Sequence, residues 1–273
     1  MVGSNVDLMG FAMDRFENGY VLVIVLMLGV LLLRAAVRYF YLKAGRARPA
    51  YAESAPRGRS TGVSRALLAM AGCGGIAFVI LTILVLNWNE IFVIDGMLNS
   101  ALKPFRTPWL LAVFVQITSV GTIFCMTTIA VVTSALIWAL GRKAFLAPLW
   151  ISFVGAESTT WITKYVISRA RPDFLTGITE HNPSFPSGHA TASTVILGFL
   201  GFIIVSEVAL PTQKIEAAFW VGTAIAAICF SRLFLSLHYL SDVVSGFLVG
   251  SAWLLIGVAM ARLAHSRGAG RAS

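Results

Sequence analysis

Apolar runs separated by short polar segments make up most of the chain. Several runs reach the roughly 20 residues that a helix needs to cross a bilayer, whereas the ten-residue alternation of barrel strands is absent. The pattern therefore predicts an all-α fold, a polytopic membrane helical bundle. The predicted spans cover residues 20–33, 66–86, 122–140, 145–165, 189–208, 217–237 and 242–263.

The apolar region 108–140 is too long for one untilted crossing. We divide it near Gly121 into an interfacial helix and a span. The mixed segment 87–106 is expected at the outer membrane face. Four residues of this region are interpreted as interface anchors: Trp88, Asp95, Asn99 and Trp109.

The composition supports a membrane protein. The 273-residue chain is 58% hydrophobic and 12% charged, and its mean hydropathy of +0.82 is far above that of soluble domains. The net charge of +9 comes from basic residues clustered between apolar runs, as in cytoplasmic loops, so no nucleic-acid partner is expected. Cys73, Cys125 and Cys229 lie within apolar runs, which predicts buried thiols rather than disulfides or a zinc site.

Loop charges predict the orientation. Acidic residues precede the first run and a basic segment follows it, which places the N-terminus outside. Arg262, Arg267 and Arg271 place the C-terminus inside, in agreement with seven crossings. The chain is thus expected to be multi-pass in the inner (plasma) membrane. The predicted parts are an N-terminal transmembrane anchor (1–42), a basic cytoplasmic linker (43–65), a core domain (66–263) and a cytoplasmic tail (264–273).

Three polar clusters lie where predicted spans begin or end on the outer side, within residues 164–172, 186–189 and 231–242. Taken singly, each has an ordinary explanation: basic residues at span ends contact lipid headgroups, and Pro-Ser-Gly commonly starts a helix. Their coincidence at one depth predicts a single polar pocket, facing the periplasm or the outside.

The first group of pocket residues suits an anion. Lys164, Arg171 and Arg232 supply three positive charges that match a phosphate and its transition state. Ser187 and Gly188 open a predicted helix, whose unpaired N–H groups and positive end can hold a phosphate oxygen.

Two histidines suit the chemistry of phosphoryl transfer. His189 and His238 have imidazoles that can attack phosphorus or protonate the departing oxygen, and spacing alone does not say which does which. Asp242, four residues after His238, is its natural orienting acid. Glu157, seven residues before Lys164 on the same predicted helical face, is either functional or a paired carboxylate in the pocket wall.

These residues form the patterns K-x6-R-P, P-S-G-H and S-R-x5-H-x3-D, in this order. The sequence thereby resembles the type 2 phosphatidic acid phosphatase superfamily, which also includes vanadium-dependent haloperoxidases. The matching positions are Lys164, Arg171, Pro172, Pro186, Ser187, Gly188, His189, Ser231, Arg232, His238 and Asp242.

The resemblance implies a six-helix phosphatase core over residues 66–263, with the first span as one extra N-terminal transmembrane helix. It also implies that His238 is the nucleophile, Asp242 its orienting acid and His189 the general acid. The phosphate-binding residues would be Lys164, Arg171, Ser187, Gly188 and Arg232. No metal and no cofactor is expected.

The expected function is hydrolysis of a lipid phosphate in the bilayer through a phosphohistidine. Candidate substrates are undecaprenyl pyrophosphate, phosphatidylglycerol phosphate and phosphatidic acid. A lipid A phosphatase and a lipid-to-lipid phosphotransferase are alternatives, and a non-catalytic lipid transporter is a more remote one. A haloperoxidase is expected to be soluble, which the seven spans oppose.

Overall fold

A computed structural model describes residues 57–172 and 180–269, and these residues are helical with short connections. They form eight α-helices: α1 (Arg57–Asn87), α2 (Asn89–Leu102), α3 (Pro108–Val120), α4 (Ile123–Ala139), α5 (Leu146–Ile167), α6 (Gly188–Glu207), α7 (Pro211–Phe234) and α8 (Leu240–Ala269). Short 3-10 turns at Lys103–Phe105 and Lys143–Phe145 precede α3 and α5. The predicted all-α polytopic bundle is confirmed.

The number of membrane spans depends on whether the bent pair of α3 and α4 and the less apolar helix α5 are each counted as one span. Four helices, α1, α6, α7 and α8, are long and apolar enough to cross a bilayer, and α3 with α4 is a fifth candidate bent by 47°. That bend confirms the predicted division near Gly121. The sixth span expected in this region, α5, is less apolar because its 22 residues include Glu157, Lys164 and five serines or threonines. The predicted span at 20–33 lies outside the described residues.

Helix α1 and helix α8 are longer than their apolar runs. Helix α1 is described from Arg57, so residues 57–65 of the expected linker are helical. The second continues to Ala269, into the expected tail. At 1.5 Å per residue a 30-residue helix is about 45 Å long, which exceeds the hydrocarbon thickness. The hydropathy pattern therefore indicates which part of a helix lies in the bilayer, but it does not indicate where the helix begins and ends.

The apolar core lies where α4, α5, α6 and α8 pack together. Its fully buried members include Met126, Leu149, Val195, Ile196 and Phe199. Helix α8 also packs along α1, and α7 joins the bundle through α3 and α6.

The three cysteines are free, but they differ in burial. Cys125 is buried as predicted, whereas Cys73 is exposed on α1 and Cys229 is half-buried. The expectation of three buried thiols was therefore wrong for Cys73, because α1 turns part of its apolar surface outward, toward the lipid of a bilayer.

Two glycines of α8 allow close contact with the start of α6. A methyl group at Gly246 would overlap the carbonyl oxygen of Ser187, and one at Gly250 would lie 2.8 Å from the carbonyl oxygen of Thr191. These contacts are with backbone atoms, which cannot rotate away as a side chain can. Helix α8 therefore packs its second and third turns directly against the start of α6.

We predict that Gly246→Ala destabilises the protein by about 1–3 kcal/mol, because the added methyl overpacks a backbone contact. Gly222→Ala is the matched control, since a methyl at Gly222 on α7 meets no atom within 4 Å and alanine favours helix. Thermal unfolding of both variants in one detergent checks this. An equal melting temperature for the two variants would contradict the packing argument.

Candidate active site

The three polar clusters lie together at one end of the bundle. Lys164, in the last turn of α5, donates from Nζ to the carbonyl oxygen of Pro183 at 2.5 Å. Arg171, beyond the end of α5, donates from a terminal nitrogen to the carbonyl oxygen of Leu237 at 2.7 Å. The first cluster is thus hydrogen-bonded to the segments that carry the other two.

Two serines with a left-handed backbone conformation change the direction of the chain at the site. Ser168 (φ 48°) ends α5, and its N–H donates to the carbonyl of Lys164 at 2.8 Å. Ser236 (φ 55°) lies between α7 and α8, and the next two N–H groups donate to the carbonyl of Arg232 at 3.0 and 3.3 Å. This backbone conformation is unfavourable for serine and is held by the surrounding contacts. The turns direct Arg171 and His238 back toward the bundle.

Arg171 and Arg232 are bridged by a carboxylate that the sequence patterns did not identify. Glu180 contacts Arg171 through Oε2 at 2.7 Å and forms an ion pair with Arg232 through Oε1. Burial raises the pKa of the Glu180 carboxyl, but the charges of Arg232 and Arg171 outweigh burial and lower it to about 2. An ionised carboxylate therefore lies between Arg171 and Arg232, two of the cations expected to hold phosphate.

The surroundings of this pair differ on its two sides. Arg232 is 1% exposed and also donates to the hydroxyl of Thr118 on α3 at 2.8 Å. On the other side, a cavity of about 360 Å³ is lined by Arg171, Glu180, His181 and Asn182, among others. The anion site is thus closed toward the bundle and open beside Arg171.

His238 faces a carboxylate with one ring nitrogen and a cation with the other. Its Nδ1 lies 3.5 Å from Oδ2 of Asp242, and its Nε2 lies 3.1 Å from a terminal nitrogen of Arg171. Burial lowers the pKa of His238, and Arg232, Arg171 and Lys164 lower it further. The imidazole is therefore held neutral, and in the tautomer that carries its proton on Nδ1, toward Asp242, the lone pair of Nε2 faces the cationic side.

His189 lies at the second position of α6 and faces the same cations. Its Nε2 is 3.4 Å from a terminal nitrogen of Arg232. The ring packs close to Gly121, where a methyl group would lie 3.0 Å from the ring carbon Cδ2. The break between α3 and α4 thus leaves room for this histidine.

The start of α6 is partly used by the protein itself. The N–H of Ser187 donates to the carbonyl oxygen of Asp242 at 2.9 Å. Contrary to the expectation, this N–H is therefore not free to bind an anion. The Ser187 hydroxyl, in contrast, is buried without a hydrogen-bond partner among the described residues. Ser187 therefore offers a side-chain donor, and the free backbone donors of α6 begin at Gly188.

Asp242 is fully buried and is held from several directions. Its Oδ2 accepts from the hydroxyl of Ser184 and, at 2.9 Å, from the N–H of Tyr239. Its Oδ1 accepts from Arg169 at 2.5 Å. Arg169 lies within the first polar cluster but was not assigned a role in the site from sequence, and Ser184, two residues before Pro186, was not identified as a site residue.

Asp95 was expected to be an interface anchor, and this expectation was wrong. The side chain is buried, and its Oδ2 forms an ion pair with Arg169 at 2.8 Å. Asn99 accepts from Arg106 at 2.6 Å and from Ser236 at 3.1 Å. A carboxylate among the apolar residues of α2 was the available signal, because burial of a charge requires a partner. Trp88 and Trp109 are exposed.

Glu157 lies in α5 with one carboxylate oxygen, Oε1, buried and without a hydrogen-bond partner among the described residues. The expected pairing is therefore not found for this oxygen.

An apolar helical bundle that gathers three cations and two histidines at one end is the arrangement expected of a membrane protein with an anion-binding site. Residues 144–265 match the model of the PAP2 superfamily. Over these residues the chain is homologous to this superfamily.

Two relatives describe the similarity. Over 168 residues the chain is 26% identical to phosphatidylglycerophosphatase B of Bacillus subtilis (strain 168), covering 60% of this chain and 82% of that protein. The fold is similar to the crystal structure of the first transmembrane PAP2 type phosphatidylglycerolphosphate phosphatase from Bacillus subtilis, with a TM-score of 0.64 and 23% identity. That match covers 69% of this chain and 94% of the other.

Because Glu180 neutralises part of the anion site, we predict that Glu180→Gln strengthens inhibition by orthovanadate, a phosphate analogue, by about 5- to 50-fold. The exposed Glu216 on α7 supplies the control, since Glu216→Gln makes the same charge change away from the site. Inhibition constants measured at one ionic strength check this. Weaker inhibition of Glu180→Gln than of the unchanged protein would show that Glu180 supports anion binding instead.

Proposed function

We propose that the protein hydrolyses a lipid phosphomonoester or pyrophosphate through a phosphohistidine at His238, without a metal ion. The observation that carries this proposal is the orientation of the His238 ring. Nδ1 faces Asp242 at 3.5 Å, and Nε2 faces Arg171 at 3.1 Å. A neutral imidazole with its free nitrogen toward a phosphate-binding cation is arranged for attack on phosphorus.

The first step forms a covalent intermediate. Nε2 of His238 forms a bond to phosphorus as the bond from phosphorus to the lipid oxygen breaks, and His189 gives a proton to that oxygen. Asp242, on the opposite side of the His238 ring, stabilises the positive charge that develops there.

The second step restores the enzyme. His189 takes a proton from water, the water oxygen bonds to phosphorus, and the phosphorus–nitrogen bond breaks. Inorganic phosphate and neutral His238 result. A phosphotransferase would use the same intermediate with a lipid hydroxyl in place of water.

The cations supply the charge that a metal supplies in other phosphatases. Lys164, Arg171 and Arg232 surround the proposed phosphate position, with Ser187 and Gly188 at the start of α6 as further donors. Transition-state charge on the equatorial oxygens is stabilised by such fixed donors. Phosphate entering between Arg171 and Arg232 displaces the Glu180 carboxylate.

For the substrate, we favour a glycerophospholipid phosphate or an isoprenoid pyrophosphate. A pocket at the end of an apolar bundle suits a lipid whose tail stays in the bilayer while its phosphate enters from the side. The similarity to phosphatidylglycerophosphatase B supports phosphatidylglycerol phosphate within this group. The short segment from residue 173 to 184 offers little surface for the large headgroup of lipid A.

We predict that His238→Ala and His189→Ala each abolish phosphate release from a lipid phosphate, a loss of about 10³-fold or more, because each removes a reacting group. The unchanged protein should keep its activity in EDTA. Purified proteins in one detergent, with thermal unfolding as the folding control, check both points. Near-normal activity of either variant, or loss of activity in EDTA, would contradict the proposed mechanism.

The substrate assignment predicts a clear order of rates. Phosphatidylglycerol phosphate or an undecaprenyl pyrophosphate should react about 10-fold or more faster than lipid A, and soluble sugar phosphates should be poor substrates because they lack tail binding. Free phosphate release by the purified protein over this panel checks the order. Faster reaction of lipid A would overturn it, and label recovered in an added lipid acceptor instead of phosphate would indicate a phosphotransferase.

We further propose that residues 1–42 anchor the chain, that residues 66–263 form a six-helix catalytic core in which α5 spans the bilayer, and that the site faces outward. His181 and Ala144 are exposed near opposite ends of α5. The two ends of this 22-residue helix are about 33 Å apart at 1.5 Å per residue.

This topology predicts the labelling of cysteines introduced into a cysteine-free background. His181→Cys should react with a membrane-impermeant maleimide in intact cells, and Ala144→Cys should react only after permeabilisation. The reverse pattern would place the site on the cytoplasmic side.

A further inference from the structure

Asp95 lies in α2, an element outside the residues 144–265 that match the family model. Its side chain is nevertheless buried at 3% exposure, next to Arg169 at 7% and Asp242 at 0%. A carboxylate at this depth is costly unless it is paired. Its contacts explain how it is compensated.

Arg169 bridges two carboxylates. One terminal nitrogen donates to Oδ2 of Asp95 at 2.8 Å, and the other donates to Oδ1 of Asp242 at 2.5 Å. The guanidinium also lies over the rings of Phe92 (4.8 Å) and Tyr239 (4.4 Å). The planar group is thus fixed by stacking and by both acids, a geometry that lysine cannot reproduce.

Asp95 also holds the first turn of α8, where Asp242 lies. Its Oδ1 accepts from the N–H of Ser241 at 3.0 Å, and its Oδ2 accepts from the Ser241 hydroxyl at 2.6 Å. The same hydroxyl accepts from Arg169 at 2.7 Å. Asp95 therefore reaches Asp242 by two routes, one through a guanidinium and one through the adjacent backbone.

We propose that Asp95 is a positioning residue of the active site, acting through Arg169 and Ser241 to orient Asp242 and, through Asp242, His238. With Oδ1 of Asp242 taken by Arg169, Oδ2 is the oxygen directed to Nδ1 of the histidine. The carboxylate cannot rotate without breaking its bond to Arg169. This inference rests on the proposed function, in which Asp242 orients the nucleophile.

Asp95→Asn tests this because it keeps the size of the side chain and removes its charge. We expect kcat to fall by about 10- to 100-fold, as for a misplaced reacting group, with little change in KM. The inhibition constant of inorganic phosphate, the reaction product, should also stay unchanged, because the cations that bind it lie on the other side of His238. A general loss of structure would weaken inhibition by phosphate as well, and that result would overturn the assignment.

Two further variants complete the experiment. Glu90→Gln, an exposed charge change on the same helix, should leave kcat unchanged. Arg169→Lys should lower kcat as Asp95→Asn does, which keeps the proposal testable if Asp95→Asn fails to fold. Normal kcat in a folded Asp95→Asn or Arg169→Lys variant would overturn the positioning role.

A double mutant separates this role from an independent one. If Asp95 acts through Asp242, adding Asp95→Asn to Asp242→Asn should cost less than about 3-fold further in kcat. Multiplicative losses would contradict the coupling. If His238→Ala is inactive but Asp95→Asn is fully active, only the positioning role of Asp95 is contradicted. If His238→Ala is active, the proposed function itself is contradicted.

Discussion

Charged groups buried at the end of an apolar bundle must each be compensated, because a lone charge in such surroundings costs several kcal/mol. The protein meets this requirement with two neighbouring charge systems. In one, Arg169 is shared by Asp95 and Asp242. In the other, Lys164, Arg171 and Arg232 lie around the carboxylate of Glu180, and Asp242 also attracts Lys164 and Arg171. The first system is saturated with negative charge, whereas the second has an excess of positive charge that favours a further anion.

The helices bring these systems together through close backbone contacts rather than through the apolar core alone. Gly246 lets α8 approach Ser187, so the N–H of Ser187 reaches the carbonyl oxygen of Asp242. The end of α5, the start of α6 and the α7–α8 connection then surround one small volume. Each of these points is a helix end, where the chain has unpaired polar groups to offer.

Much of this arrangement was accessible from sequence. Apolar runs predicted the helices, and the division at Gly121 was confirmed by the bend between α3 and α4. The three clusters could be grouped because their spacing from span ends indicates depth in the bilayer. Asp95 and Glu180 could not be placed in this way, since a single acidic residue carries no periodicity and its partner is decided by tertiary contacts. The ends of α1 and α8 were missed because helical structure continues where the apolar pattern stops.

The imidazole of His238 joins the two charge systems, with Nδ1 toward the acids and Nε2 toward the cations. This polarity has a consequence for the proposed reaction. Once Nε2 bonds to phosphorus, the ring becomes positively charged while its phosphoryl group lies among the cations. The positive ring is then stabilised by Asp242, and the phosphoryl oxygens are stabilised by Arg171, Arg232 and Lys164. If Asp242 turned away, the ring charge would meet only the cationic side and the intermediate would lose its stabilisation. In the proposed reaction, the chemistry therefore depends on the orientation of Asp242, which is held by Ser184 and Tyr239 and, as we propose, by the bridge from Asp95 through Arg169.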